Sequence, residues 1–219
     1  MKQREMFDEQ LNGLCQDIAA MSEMTISAIL RSVEALRTKD AEAAQRIIAE
    51  DAAIDDAQRR IEEKGLALIA TQQPVAGDLR EIIAIINISA ELERMGDYAE
   101  GIAKIVLLHG DKPLVKPLVD IPRMAELNVQ NIRDALQAFR ERDVERARLI
   151  WNKDDEIDTL YNQVFRELIT YMIEDPRTIT RSTYLIWAAH NLERIGDRVT
   201  NICERIVYLV TGRLERMKA

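Results

Sequence analysis

Cysteine is nearly absent from this 219-residue chain: only Cys15 and Cys203 occur, far apart and with no Cys-x-x-Cys pair. A disulfide framework is therefore not expected, and both thiols read as buried structural residues. Aromatics make up 5% of the chain, with five prolines and eight glycines, so little sequence is set aside for turns. No apolar run approaches the ~20 residues of a membrane span. The start, Met1-Lys-Gln-Arg-Glu-Met6, leads into an acidic stretch and not into the apolar segment of a signal peptide. The expectation is a cytoplasmic protein with no membrane insertion. Basic charge is also short, the net being −8. Residues 1–112 carry 13 Lys/Arg against 21 Asp/Glu, while residues 113–219 carry 17 of each sign. Neither half offers the basic stripe that nucleic acid requires.

What is present favours helix. Hydrophobic residues are 47% and charged residues 31%, rich in alanine, leucine, isoleucine, arginine and glutamate. Leu11, Leu14, Ile18, Met21, Thr25, Ile29, Val33 and Leu36 keep a three-to-four spacing and predict a first helix over 6–36. A second helix is predicted from an Asp40 N-cap to Thr71. The Pro74–Gly77 turn follows, and a third helix runs from an Asp78 N-cap to His109. Three prolines between Asp111 and Pro122 make that segment a linker. Beyond it the plan repeats, with helices over 123–140, 143–174 and 178–212. Arg142-Asp-Val-Glu-Arg-Ala147 echoes Lys39-Asp-Ala-Glu-Ala-Ala44 at an offset of 103. The fold class expected is all-α: two antiparallel three-helix bundles in tandem, 1–112 and 113–219, made by duplication.

The duplication carries an acidic motif. Glu91-Leu-Glu-Arg-Met-Gly-Asp97 returns 100 residues later as Asn191-Leu-Glu-Arg-Ile-Gly-Asp197. Glu93 and Asp97, and again Glu193 and Asp197, stand four apart and share a helix face, with Cβ atoms roughly 5–6 Å apart. Such acids repel each other, and the glycine between them costs about 1 kcal/mol relative to alanine. Helix stability does not explain making both choices twice. A second pair, Asp51 and Asp55, lies on the preceding helix, and Asp154 and Asp158 hold the equivalent place. Hairpin geometry puts four carboxylates at one level of each bundle.

Converging carboxylates either take up protons or share cations. All-oxygen ligation suits magnesium, manganese, calcium and iron. The bland alternative is solvated surface charge. Gly96 and Gly196 would let a neighbouring helix or a cluster come close. Arg94 and Arg194 flank the acids, either orienting them or forming plain surface ion pairs. His190 shares the stripe of Glu193 and Asp197, but its counterpart is Ala90; Glu100 continues the first stripe, but its counterpart is Thr200. Neither is counted as a primary ligand. Trp151, Tyr161, Phe165, Tyr171, Tyr184 and Trp187 read as core filler, with Trp187 and Tyr208 also suited to a partner surface. There is no Glu-x-x-His motif, nucleophile with a base, or Gly-rich phosphate loop. A carboxylate-bridged metalloenzyme and a metal-free helical scaffold are the rivals to a binding role.

Gln73-Pro-Val-Ala-Gly-Asp-Leu-Arg80 opening the third helix, Leu192-Glu-Arg-Ile-Gly-Asp-Arg-Val-Thr-Asn-Ile-Cys-Glu204 in the sixth, and the paired acidic motifs resemble the PhoU family over nearly the whole chain. The resemblance implies a cytoplasmic all-α protein with multinuclear metal clusters, of iron or zinc, with manganese or magnesium also possible. The ligands it implies are Asp51, Asp55, Glu93 and Asp97, then Asp154, Asp158, Glu193 and Asp197. It further implies a negative regulator, not an enzyme, that forms a homodimer. Its partners would be the ATPase subunit of a phosphate ABC transporter and a sensor histidine kinase, which would bring it to the inner membrane through protein contacts. His190 stands where relatives commonly have arginine.

Overall fold

The computed structural model describes the backbone of residues 2–213, with side chains except those of residues 2, 3 and 154. The described residues hold no strand. The helices are α1 (Lys2–Thr38), α2 (Ala41–Gln72), α3 (Ala76–His109), α4 (Asp120–Glu141), α5 (Val144–Trp151), α6 (Asp154–Glu174) and α7 (Ile179–Thr211), with a 3-10 turn at Pro176–Thr178. These make the expected six limbs, the fifth of them in two pieces.

Asp40 accepts from the Ala43 amide and Asp143 from the Arg146 amide, each at 2.9 Å, so the second limb of each repeat starts on the same cap. The limb predicted over 143–174 is interrupted at Asn152–Lys153. Asp154, Asp155, Glu156 and Asp158 follow at once. Four acids in five residues repel one another inside a continuous helix, but are favoured at a fresh helix N-terminus. Asp78 does not cap α3, which begins two residues earlier with Val75 at the cap position and no side-chain cap bond. Asp78 instead sits in the first turn and pairs with Arg4 of α1 at 2.6 Å. Pro122, expected in the linker, lies in the first turn of α4, where its missing N–H is not needed. The linker is fastened by Lys116, only 8% exposed, which contacts Glu167 of α6 and lies 3.6 Å from Asp120.

α2 packs against α1 and α3, and α6 packs against α4 and α7. The two bundles meet through α3 with α7 and through α1 with α4. Arg80 reaches the Leu209 carbonyl, Glu91 meets Arg198 and Asn201, and Gly101 meets Asn191. Those pairs fix α3 and α7 as antiparallel, crossing with Met95–Gly96 opposite Ile195–Gly196. The repeats are thus related by a pseudo-twofold axis at the level of the acidic motifs. Ile18, Met21 and Ile29 recur as Ile121, Met124 and Ile132 at the offset of 103, and all six are buried.

The core is aliphatic, from Leu14 and Ile18 to Ile202 and Ile206. Core filler holds in part for the aromatics singled out in the second half. Trp151, Tyr161 and Tyr184 are partly buried and pack against the core, Tyr171 is partly buried, and Phe165 and Trp187 are exposed. Short aliphatic residues fill most of the space between the closely packed helices, which leaves these larger rings at its edge. Cys203 is buried and Cys15 half-buried, and neither is in a disulfide.

Candidate metal centres

The first site lies between α2 and α3. Asp51 and Asp55 stand one turn apart on α2, and they bring a carboxylate oxygen each within 4.8 Å of one another and of an Asp97 oxygen from α3. Glu93, one turn before Asp97, is not among the oxygens that converge within that distance, but it stands near enough that its carboxyl is raised by burial, then by the charges of Asp97 and Asp55. Burial pushes Asp51 up to about 6, and of the neighbouring charges Glu100 weighs most, followed by Asp55 and Asp97. Asp97 is raised by burial and by Asp55 and Glu100. Glu100, set aside in the sequence for want of a counterpart, therefore belongs to the rim of this site, paired with Lys104. Arg94 is exposed and makes no ion pair among the described residues. Among the described residues no ion pair joins Asp51, Asp55, Glu93 or Asp97 to a cation, although Lys104 and Arg94 act on the cluster as nearby charges.

Gly96 explains how the helices come so close. A Cβ there would lie 3.1 Å from Ile54 Cδ1 and 3.2 Å from Asp51 Oδ1. Those distances are tighter than ordinary packing, so a side chain would push α2 outward. Gly96→Val is expected to cost about 1–3 kcal/mol by overpacking and to open the carboxylate cluster. Chemical denaturation measures the first effect, and metal titration at the first site the second.

The second site lies between α6 and α7 and is arranged differently. Asp158 is raised by burial and then by Asp197, and Glu193 by burial and then by Asp197, so these three acids share one neighbourhood. The side chain of Asp154 lies outside the described residues. Arg194, unlike Arg94, turns onto the acids: its guanidinium donates to Asp197 Oδ2 at 3.1 Å and lies 3.2 Å from Glu193 Oε2. Thr200, in the place of Glu100, donates to the Asp197 carbonyl at 2.7 Å. His190 packs on the Tyr161 ring, with centroids 5.8 Å apart, and its Nδ1 lies 3.4 Å from Glu193 Oε2. Burial and Arg194 lower its pKa, against a smaller opposing effect of Asp197, so it stands there as a neutral ring. Gly196 is buried, like Gly96.

Oxygen-rich, partly desolvated clusters of this kind suit hard or borderline cations, and the donors fit them on three counts. The oxygens of Asp51, Asp55 and Asp97 converge, burial and the charges of neighbouring acids raise these groups, and Gly96 keeps the gap between α2 and α3 narrow.

Two three-helix bundles in one chain, each with its acidic motif on facing helices, define a class of duplicated all-α proteins. A family model described as the PhoU domain matches residues 18–106 and again 121–206. A protein of Rhizobium meliloti strain 1021, called a phosphate-specific transport system accessory protein PhoU homolog, is 42% identical over 207 residues, spanning 94% of this chain and 87% of that protein. A protein of the same description from Clostridium acetobutylicum is 40% identical over 96% of both chains. The crystal structure of the phosphate transport system regulatory protein PhoU from Streptococcus pneumoniae superposes with a TM-score of 0.89 at 34% identity, over 96% of this chain and all of that one. PhoU from Pseudomonas aeruginosa gives the same score and identity. The chain belongs to the PhoU family, whose members are accessory and regulatory proteins rather than enzymes.

Proposed function

We propose that this protein is a metal-binding accessory regulator of phosphate-specific transport. The transport role is supported by its relatives, which are named as accessory proteins of that system. The metal role is supported by one observation above the others: carboxylate oxygens of Asp51, Asp55 and Asp97 lie within 4.8 Å of one another. Asp51, Asp55, Glu93 and Asp97 hold the ions of the first site, and Asp154, Asp158, Glu193 and Asp197 those of the second. Bridging carboxylates allow more than one ion at each, with iron, zinc, manganese or magnesium as candidates. The ions lock α2 to α3 and α6 to α7, and so set the shape of the flanks that a partner meets. In this reading the partners are the ATPase subunit of the phosphate transporter and a sensor histidine kinase. The signal passed to them is repression of the phosphate-starvation response when phosphate is plentiful.

Elemental analysis of the purified protein beside a Glu93→Gln, Asp97→Asn, Glu193→Gln, Asp197→Asn variant tests the metal role. The expected result is more than one ion per chain in the parent and loss of nearly all of it from a variant that keeps its helical circular dichroism. No metal in the parent after incubation with iron, manganese and zinc salts would leave the acids as surface charge. Co-purification of the parent, but not of the variant, with the transporter ATPase subunit tests the coupling.

A further inference from the structure

Each acidic site is backed by a buried polar side chain that sequence reading did not single out as polar. Thr25 on α1 and Asn128 on α4 are fully buried and occupy equivalent positions at the offset of 103. Thr25 Oγ1 lies 3.4 Å from the Leu92 carbonyl, and Asn128 Nδ2 donates to the Leu192 carbonyl at 2.8 Å. Leu92 and Leu192 are the residues immediately before Glu93 and Glu193. In an α-helix those same carbonyls also accept the amides four residues on, which are those of Gly96 and Gly196. Two different residue types therefore reach, from two different helices, the same turn of the acidic motif.

Core stability does not explain them. Each stands in a ridge of aliphatic side chains, between Met21 and Ile29 in one case and Met124 and Ile132 in the other. Asn128 Oδ1 is buried with no hydrogen-bond partner, which is a cost. A buried Asn at one core position of a helix pair is a known device for fixing register at the expense of stability.

We propose that Thr25 and Asn128 are positioning residues for the two metal centres, an inference that rests on the metal-binding reading above. Each anchors the carbonyl beside the first acid of the motif, and so sets the rotation and axial register of α3 or α7. Glu93 and Asp97 then face α2, and Glu193 and Asp197 face α6. Leu92 and Leu192 are themselves 0% exposed, so a small rotation of either helix moves its acids out of the gap. The two anchors are unequal. Asn128 has an amide proton free for the Leu192 carbonyl, whereas the single hydroxyl proton of Thr25 is shared between Leu92 and Met21, whose carbonyl is nearer at 3.1 Å.

Manganese titration at pH 7.5, read by calorimetry and by the electron paramagnetic resonance of the bound ion, tests this on the full chain. Asp97→Asn serves as a background that isolates the second site, and Asp197→Asn as one that isolates the first. In the first background, Asn128→Leu is expected to weaken manganese binding at least tenfold and to broaden the signal, while the melting temperature holds or rises. Asn128→Thr, which installs the group of the other repeat, is expected to recover most of the affinity. In the second background, Thr25→Val, which removes only the hydroxyl, is expected to weaken binding about threefold; this variant also carries the test if Asn128→Leu does not fold. Unchanged affinity in Asn128→Leu and Thr25→Val, where the backgrounds themselves bind manganese, overturns the positioning role and leaves the metal reading standing. If neither background nor the parent binds manganese, iron or zinc, the metal reading fails and the positioning role falls with it.

Discussion

Stripped of metal with a chelator, the protein is expected to become more stable as the pH falls from 7.5 to 5.5. Asp51 titrates near 6 in the folded chain, and Glu93, Asp97, Asp158 and Glu193 are also raised, in each case first by burial and then by neighbouring acids. Unfolded carboxylates titrate near 4. Between those values the folded state holds protons that the unfolded chain has released, so stability is present at low pH and lost as pH rises through about 6. Asp51 is partly open to water, and with screening allowed for it contributes about 0.5 kcal/mol over the part of its titration that lies between pH 7.5 and 5.5. That corresponds to a gain of about 1–2 °C in melting temperature on acidification for a chain of this size, to which the other raised acids add. Divalent metal at pH 7.5 should do the same work as the protons and reverse the slope, because lowering the pH then displaces the ion. Thermal melts at four pH values, with chelator and with manganese, measure both. A chelated protein that melts lower at pH 5.5 than at 7.5 would show that the acids are not confined together as described.

The second large effect is a difference between the two sites. At the first, Arg94 makes no ion pair among the described residues and Lys104 is engaged by Glu100, so an incoming cation meets acids that no ion pair holds. At the second, Arg194 already lies across Glu193 and Asp197 and must be displaced or tolerated. A charge-assisted contact of this kind is worth about 1.5–3 kcal/mol, or roughly 10–100-fold in affinity. Titration of the chelated protein is therefore expected to resolve a tight and a weak class of site. Asp97→Ala should abolish the tight class and Asp197→Ala the weak one, while Arg194→Gln should draw the weak class toward the tight one. Equal metal loss from the two aspartate variants would sink the distinction.

The sequence made the six limbs legible because their apolar residues keep a helical period and because the acidic motif is duplicated at a nearly constant offset. The same duplication located the α2 acids opposite Glu93 and Asp97, since both lie similar distances from one hairpin turn. Duplication also misled. It set Glu100 aside because Thr200 stands in its place, yet Glu100 is the strongest charge acting on Asp51. Position within a repeat reports what the two halves share, and Glu100 is part of how they differ. In the sequence Thr25 falls on an apolar stripe, and nothing in the spacing says that its hydroxyl or the Asn128 amide reaches a carbonyl on another helix. The break at Asn152–Lys153 was hidden for a similar reason. Its cause, crowded acids favouring a helix start, is a local charge effect laid over an intact hydrophobic period.

The antiparallel crossing of α3 and α7 has a consequence for what duplication made available. Two copies of one bundle related by an exact twofold would be obliged to carry identical residues on both sides of the axis. Fused into one chain, the halves are released from that obligation. Glu91 faces Arg198 and Asn201 on one side of the crossing, while on the other Asn191 faces Gly101. In one half the arginine of the motif makes no ion pair among the described residues, and in the other the equivalent arginine lies on the acids, with an imidazole beside them. On the metal-binding reading proposed above, two sites that differ in this way and share a single spine would fill at two different concentrations of cation.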